Sequence, residues 1–452
     1  MKTGPVWRGL RAAMLAVNQG ALLATLVVLA WQRNWPLELP GFDPAGVPFM
    51  HILPTARLAE LTALAAVGAY ALAGWPNRER LLRGERRMFT LSLLALLGLA
   101  ALSPLWAMHR GLAAVHAGHM TAWTAFALMM ASGDWPARRL AAFLLAGLLI
   151  HAAVGYLQVA LQHFVGLGPR FGEVPVRPEE TWASVVFAGP VRLLRAYGLS
   201  GHPNVLGGHL AVGLILSYGL LVAWPRVWRA LIAVAWVLVW VLLLVTFSRS
   251  AWLALIAGAL VAAALLWRAR LVGRWATRSA LTLGGLAVVA GIIFVAAFQP
   301  FLINRAQPAA QPFEAFSVEQ REEMIDVAVQ LIAARPLTGA GAANFSTASQ
   351  TVTWQGYALD WAHNVPLLVT SELGLLGLAA CLALLGSIVA AGARRWRSRS
   401  ITLWQALIGG GLAALLTIML FDHYLWTAPQ GGLLWALLAG VWLANPAPNV
   451  DG

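Results

Sequence analysis

Four basic side chains stand out by where they fall: Arg195, Arg249, Arg321 and His363. Arg249 sits in Thr246-Phe-Ser-Arg249-Ser-Ala-Trp252, between two apolar runs that leave almost no loop. An Arg at mid-membrane costs about 2.5–3.5 kcal/mol on insertion scales, and less near an interface. No acidic residue stands close in sequence to offset Arg249, so it either snorkels to headgroups or holds an anion. Arg195 begins Arg195-Ala-Tyr-Gly-Leu-Ser-Gly-His202-Pro203-Asn204, which enters an apolar run. Asn204 is a suitable helix cap there, with His202 beside it, and a helix start with free N–H groups attracts anions. Arg321 lies one turn before Met324 and Ile325 in a stretch where Met324, Ile325, Ala328, Leu331 and Ile332 recur at helical spacing. Glu322, Glu323 and Asp326 take the other face, and none is at the i+3 or i+4 position from Arg321 that favours an ion pair. An Arg on the buried side of a helix needs an anionic partner beneath it. His363-Asn364 opens an apolar run, and imidazole is the side chain best able to take a proton near neutral pH. Guanidinium groups of this kind grip anions such as phosphate, and a histidine beside them could move a proton, so the set predicts a site for an anion with a base at hand.

The elements that must position these residues lie in a membrane. The 452 residues are 60% apolar and 11% charged, with mean hydropathy +0.72, against about 25% charged in soluble domains. Apolar runs extend to about Trp31 and over roughly 57–75, 88–108, 112–132, 139–161, 204–224, 229–248, 250–267, 279–299, 363–391, 401–421 and 429–444. Each fits a helix crossing hydrocarbon. The fold expected is therefore an all-α polytopic membrane protein of about twelve spans, one integral membrane domain over residues 1–452. The basic start is too long in its apolar run, and too poor in small residues after it, for a cleaved leader.

The net charge of +13 does not predict nucleic-acid binding. Most of the 31 Lys and Arg residues form short clusters between alternate spans, which is a topology signal that places both termini in the cytoplasm. Only Lys2 is a lysine, so Arg is the default cation and an isolated Arg is weak evidence by itself. The informative arginines are the exceptions on the outer face: Arg192, Arg195, Arg249, Arg305, Arg321 and Arg335. Two outer segments are long, 162–204 and 300–362, and loops of that length commonly carry function. In the second, Ser317-Val-Glu-Gln320 reads as a capping box, and Pro336, Gly339 and Gly341 read as the end of the helix.

Other features are weaker. His116 and His119 share one helix face but have no evident third ligand. Asp422-His423-Tyr424 lies in the last outer loop and is expected to help bind substrate, with Tyr424 as a candidate contact. Cys381 is the one cysteine. No Walker sequence, Cys-x-x-Cys or paired-carboxylate motif is present, so no metal or other cofactor is expected. Glu60 and Glu372 are the charges inside spans, and Glu372 is expected to bond a neighbouring helix. Few charges near mid-membrane argue against a transporter.

Taken together, these stretches resemble the O-antigen ligase and polymerase superfamily. The resemblance is carried by Arg195…Gly-His-Pro-Asn204, Phe247-Ser-Arg249-Ser-Ala, Arg321, Pro336-Leu-Thr-Gly339-Ala-Gly341-Ala-Ala-Asn-Phe345, and His363-Asn364-x-x-Leu367 with Glu372-x-Gly374, over roughly residues 190–380. It implies a glycosyltransferase of GT-C type in the Gram-negative inner membrane, with a large periplasmic loop between spans 9 and 10. The donor implied is an undecaprenyl-diphosphate-linked glycan. For a ligase, the acceptor implied is the outer-core sugar of lipid A–core. On that resemblance Arg195, Arg249 and Arg321 hold the diphosphate, and His202, Asn204, Asn364 and Tyr424 line the substrate site. His363 takes the acceptor proton in a metal-independent, inverting transfer. A polymerase or a protein O-oligosaccharyltransferase would use the same site with a different acceptor.

Overall fold

The computed structural model describes residues 5–39, 42–44, 47, 53–223, 225–307, 312–353 and 359–444, with the backbone alone over 312–318. Its helices are α1 (Pro5–Val28), α2 (Leu58–Leu72), α3 (Gly84–Leu102), α4 (Arg110–Ser132), α5 (Ala137–Leu161), α6 (Pro203–Ala223), α7 (Arg229–Val245), α8 (Arg249–Arg268), α9 (Arg274–Ala306), α10 (Pro312–Ala334), α11 (Phe345–Ser349), α12 (Val365–Ser398), α13 (Leu403–Phe421), α14 (Tyr424–Thr427) and α15 (Pro429–Leu443). Two small antiparallel hairpins pair β1 (Asn34–Pro36) with β2 (Thr55–Arg57) and β3 (Val185–Ala188) with β4 (Val191–Leu194).

Each of the twelve apolar runs in the sequence coincides with one of α1–α9, α12, α13 and α15. Among the described residues eight helices are long and apolar enough to cross a membrane, and α2, α7 and α15 are shorter apolar helices. The packing is that of a bundle in lipid. Large side chains such as Leu64, Leu260, Val289, Ile292 and Ile293 point outward and are exposed, while helix backbones approach each other at small residues, as expected where lipid rather than water is the competing solvent. At the α8–α13 crossing a Cβ on Gly258 would lie 2.6 Å from the Gly410 carbonyl oxygen.

One end of the bundle carries the irregular structure. There α5 ends in Gln162, the β3–β4 hairpin follows, and α7 turns into α8 through Phe247, whose φ is +49°. Helix α9 kinks at Phe298, two residues before Pro300. Helix α10 begins at Pro312, so Ser317 is inside the helix rather than at its start; the Ser317 side chain lies outside the described residues. The helix does end ahead of Pro336, as the sequence predicts. Met324, Ala328 and Leu331 are buried, whereas Ile325 is exposed.

Helix α12 is broken at Gly374, where φ is +67° and ψ is −168°, a conformation that is essentially glycine-only. The segment after α10 packs into this break. Leu375 donates its backbone N–H to Pro336, Ala340 donates to Ser371, and Gly341 donates to Glu372. A Cβ on Gly374 would lie 2.1 Å from the Leu337 oxygen, and one on Gly339 would lie 2.4 Å from the Glu372 carbonyl carbon. Gly386, in the same helix, has open space around its would-be Cβ. Gly374→Ala is expected to cost at least about 2 kcal/mol through backbone strain and overlap. It should lower the apparent Tm of the detergent-solubilised protein by several degrees, while Gly386→Ala leaves it unchanged.

Candidate functional site

The site lies at the irregular end, where α6, α8, α12 and α14 begin and α9 and α13 end. Its support is a polar chain built on Arg195, immediately after β4. The Arg195 side chain is buried, and its guanidinium donates through Nε to the Thr246 carbonyl (2.6 Å), through Nη1 to Ser184 Oγ (2.7 Å) and through Nη2 to Asn204 Oδ1 (2.6 Å). The Asn204 amide nitrogen in turn donates to Asp422 Oδ2 (2.9 Å). Helix α6 starts one residue earlier than the sequence suggested. Pro203 takes the first helical position, where it is favoured, and the His202 Nδ1 accepts the Asn204 N–H at 3.1 Å. Asn204 is therefore not the helix cap. Its side chain is left to connect Arg195 on one side to Asp422 on the other.

Asp422, directly after α13, is buried and also accepts the His423 N–H through Oδ1 (2.9 Å). Burial pushes its carboxyl pKa up, but the proximity of His423, His363 and His202 outweighs this and holds it below the usual value. His202 is lowered to about 3, by burial first and by Arg195 second. His363 is lowered to about 4, mainly by burial and then by His423 and Arg321, with Asp422 acting in the opposite direction. His363 is therefore neutral at pH 7, and its Nδ1 is buried without a hydrogen-bond partner among the described residues.

Two cavities meet at Asn204 and His363. The first, of about 470 Å³, is lined by Arg249, Arg305 and Arg321, with Asn364 and Ile325 beside them. The arginines come from three different elements. Arg249 opens α8, and its Nη1 donates to the Arg305 carbonyl; Arg305, at the end of α9, donates to the Phe247 carbonyl. Arg321 comes from α10, and the exposed Ile325 one turn on faces the same space. Asn364 caps α12, accepting the Leu367 N–H while donating to the Leu420 carbonyl.

The second cavity, of about 520 Å³, is bounded by Arg57, His202, Trp361, His423, Tyr424 and Trp426 among others. Here the His423 ring lies against Trp361 and meets His363 edge-on, with centroids 5.0 Å apart in both pairs. The Tyr424 hydroxyl is buried without a partner, and burial, reinforced by Asp422, raises its pKa well above the ordinary value.

Of the residues singled out in sequence, Arg249, Arg321, His363, Asn364 and Asn204 line the arginine cavity, and His202, Asn204, His363 and Tyr424 line the second. Arg195 lines neither cavity; its reach into the site is through Asn204. Arg192 lies over the Phe187 ring and donates to the Glu180 carbonyl, and Arg335 donates to the Trp106 carbonyl. His119 is bonded to Glu60 (2.8 Å), and His116 packs on Trp426. Glu372 does bond a neighbouring helix, the short α14, and it bonds a docked backbone segment as well. Its carboxylate accepts the N–H groups of Ala343 and Phe345, in the segment docked into the α12 break, and the Trp426 indole N–H of α14.

Arg305, given no role of its own in the sequence reading, is placed at the site, and so are Asp422 and His423 of the Asp422-His423-Tyr424 stretch. Arg305 was visible as one of the six outer arginines. Nothing in the spacing connects His363 to Asp422 and His423, yet each offers a ligand atom and these lie within 4.8 Å of one another.

A bundle of apolar helices with an arginine-lined cavity and a neutral histidine at one end describes a polytopic membrane protein. Residues 234–382 match the family model described as O-antigen ligase, roughly a third of the chain, and the match supports an O-antigen ligase family assignment. The segment contains Arg249, Arg305, Arg321, His363 and Glu372, and leaves Arg195, Asn204 and Asp422 outside it. None of the curated proteins matches the chain. Transferase activity of the ligase and polymerase type, acting on lipid-linked glycans in lipopolysaccharide biosynthesis, is what this family assignment supports.

The polar chain gives a direct test. Asn204→Leu removes the group that joins two buried charged side chains and should cost about 2–3 kcal/mol in unfolding free energy. Thermal unfolding would show this as a lowered apparent Tm, and an unchanged Tm would mean that the Arg195–Asn204–Asp422 chain is not supporting the site.

Proposed function

We propose that the protein is an O-antigen ligase, moving the O-antigen polysaccharide from undecaprenyl diphosphate to the outer-core sugar of lipid A–core. The observation that carries this reading is the pair of cavities sharing His363 and Asn204. The arginine cavity suits the donor diphosphate. Guanidinium groups bind phosphate oxygens bidentately and stabilise the charge that develops as the glycosidic C–O bond breaks. The second cavity, rich in aromatic and histidine side chains, suits the acceptor sugar. An acceptor hydroxyl there approaches the anomeric carbon from the side opposite the leaving diphosphate, which gives inversion. His363, neutral and at the boundary, takes the hydroxyl proton in that single displacement. No step in this scheme requires a metal. Arg249, Arg305 and Arg321 bear on the diphosphate, while Arg195 acts through Asn204 and Asp422 by holding the wall between the cavities. Both termini are assigned to the cytoplasm and the site to the periplasmic face of the inner membrane, on the distribution of Arg and Lys along the chain.

A base with pKa about 4 is weak for this task. The donor itself supplies the correction, because a diphosphate next to His363 favours the protonated imidazolium and raises its pKa. In the free enzyme, protonation of His363 removes the base only as pH falls through about 4, so kcat/KM for the donor should keep its His363-dependent acid limb near pH 4. The limb in kcat, which reports the donor-bound enzyme, should lie at higher pH. Coincident limbs would contradict the arrangement.

His363→Ala should reduce transfer by the purified enzyme by about 10²–10⁴-fold, the usual worth of a general base; full activity would remove the base assignment. The acceptor is decided by the lipopolysaccharide of a deletion strain. A ligase leaves core with no O-antigen, a polymerase leaves core bearing single repeat units, and a protein-directed enzyme leaves lipopolysaccharide unchanged.

A further inference from the structure

His363, Asp422 and His423 are drawn from two distant segments, and the function proposed above uses only one of them as a reacting group. Their available atoms, one per residue, lie within 4.8 Å of one another. His363 Nδ1 is buried with no hydrogen-bond partner among the described residues. The His423 ring is anchored on its far side, with Nδ1 bonded to Thr427 Oγ1 at 2.7 Å, and this turns Nε2 toward Asp422 Oδ1, 3.9 Å away. Asp422 is itself held by Asn204 and by the His423 N–H. A ligand histidine whose other nitrogen is tied down, and a ligand carboxylate held by a further hydrogen bond, are the outer-sphere features of metal sites. A tetrahedral Zn²⁺ with ligands at about 2.0–2.1 Å separates them by about 3.3–3.5 Å. Shifts of about 1 Å in the side chains would bring the three atoms to that spacing.

We infer that His363, Asp422 and His423 form an inhibitory binding site for a borderline divalent cation of the Zn²⁺ class. Two imidazoles and one carboxylate suit Zn²⁺, Co²⁺ or Ni²⁺ and not Mg²⁺, which prefers oxygen ligands and an octahedral shell. Both cavities reach His363, so an ion and a fourth ligand from water have access. The charge of nearby Arg321 opposes a cation, which makes the site weaker than a structural zinc centre and the binding reversible. Inhibition rests on the ligase reading: a His363 nitrogen bonded to the ion cannot accept the acceptor's proton, so the metal-bound and catalytic forms exclude each other.

The test uses the full-length protein in nanodiscs with Co²⁺ as the probe. Wild type should bind one equivalent with visible d–d bands of a low-coordinate site. His423→Ala should weaken binding by at least about tenfold, and Asp422→Asn should do likewise. His163→Ala, at an exposed position after α5, should leave binding unchanged. Absence of Co²⁺ bands in the wild type overturns the site, and so does binding that survives both substitutions at 422 and 423; the wild-type measurement holds even if a variant fails to fold. Zn²⁺ added to a transfer assay should slow wild-type turnover, with recovery on chelation. Binding without slowing overturns the inhibitory role. Failure of the ligase reading is separate, because it appears as absent glycan transfer in the chelated enzyme.

Discussion

The break in α12 at Gly374 is the constraint on which the rest of the site depends. A helix interrupted close to hydrocarbon exposes backbone groups that lipid cannot satisfy, and each unsatisfied group costs several kcal/mol. The protein answers with the segment from Pro336 to Phe345, whose backbone pairs with Ser371, Glu372 and Leu375 across the break. The buried Glu372 carboxylate completes the arrangement by accepting two backbone N–H groups of that segment and the Trp426 indole. One junction thus ties together α10, which carries Arg321, α12, which begins just after His363, and α14, which borders the second cavity. Arg321 and His363 are held in register by a backbone defect and its repair, although neither is bonded to Glu372.

Arginine serves two different purposes at this end of the bundle. Arg195 is buried and spends its guanidinium on a carbonyl, a hydroxyl and an amide. Through Asn204 it reaches Asp422, so the position of an acidic group beside His363 is set by a cation on the other side of α6. Arg249, Arg305 and Arg321 instead face a cavity. The difference follows from where each sits. Arg195 lies under the β3–β4 hairpin, where burial without hydrogen bonds would be costly. The other three stand at helix ends or on the loop helix, with access to an anion arriving from outside.

Much of this was legible in the chain. Runs of about twenty apolar residues in hydrocarbon have little choice but to be helical, so all twelve appear as helices, and α10 was visible from its periodicity. The signals that misled are local ones. Asn204 has the residue type of a cap, but the His202 imidazole performs that role because Pro203 already starts the helix. Ser317 looks like a helix start, yet α10 begins at Pro312. At both positions a tertiary partner, or an earlier start to the helix, overrode a short-range preference. Glu372 was expected to bond a neighbouring helix and does so at Trp426 of α14, but it also holds the docked segment, which no local signal foretold.

By itself the sequence determined the solvent of the protein, the number of its apolar helices and which arginines are exceptions to its charge pattern. These depend on composition and on period, which are properties of neighbouring residues. Arg249, Arg321 and His363 could be selected because each breaks a local rule. Only the tertiary structure decided that Arg305 joins them, that Arg195 supports rather than lines the site, and that Asp422 and His423 stand beside His363. Those outcomes depend on how α6, α9, α12 and α13 pack at one end of the bundle, and packing brings together residues whose separation along the chain carries no periodic signal.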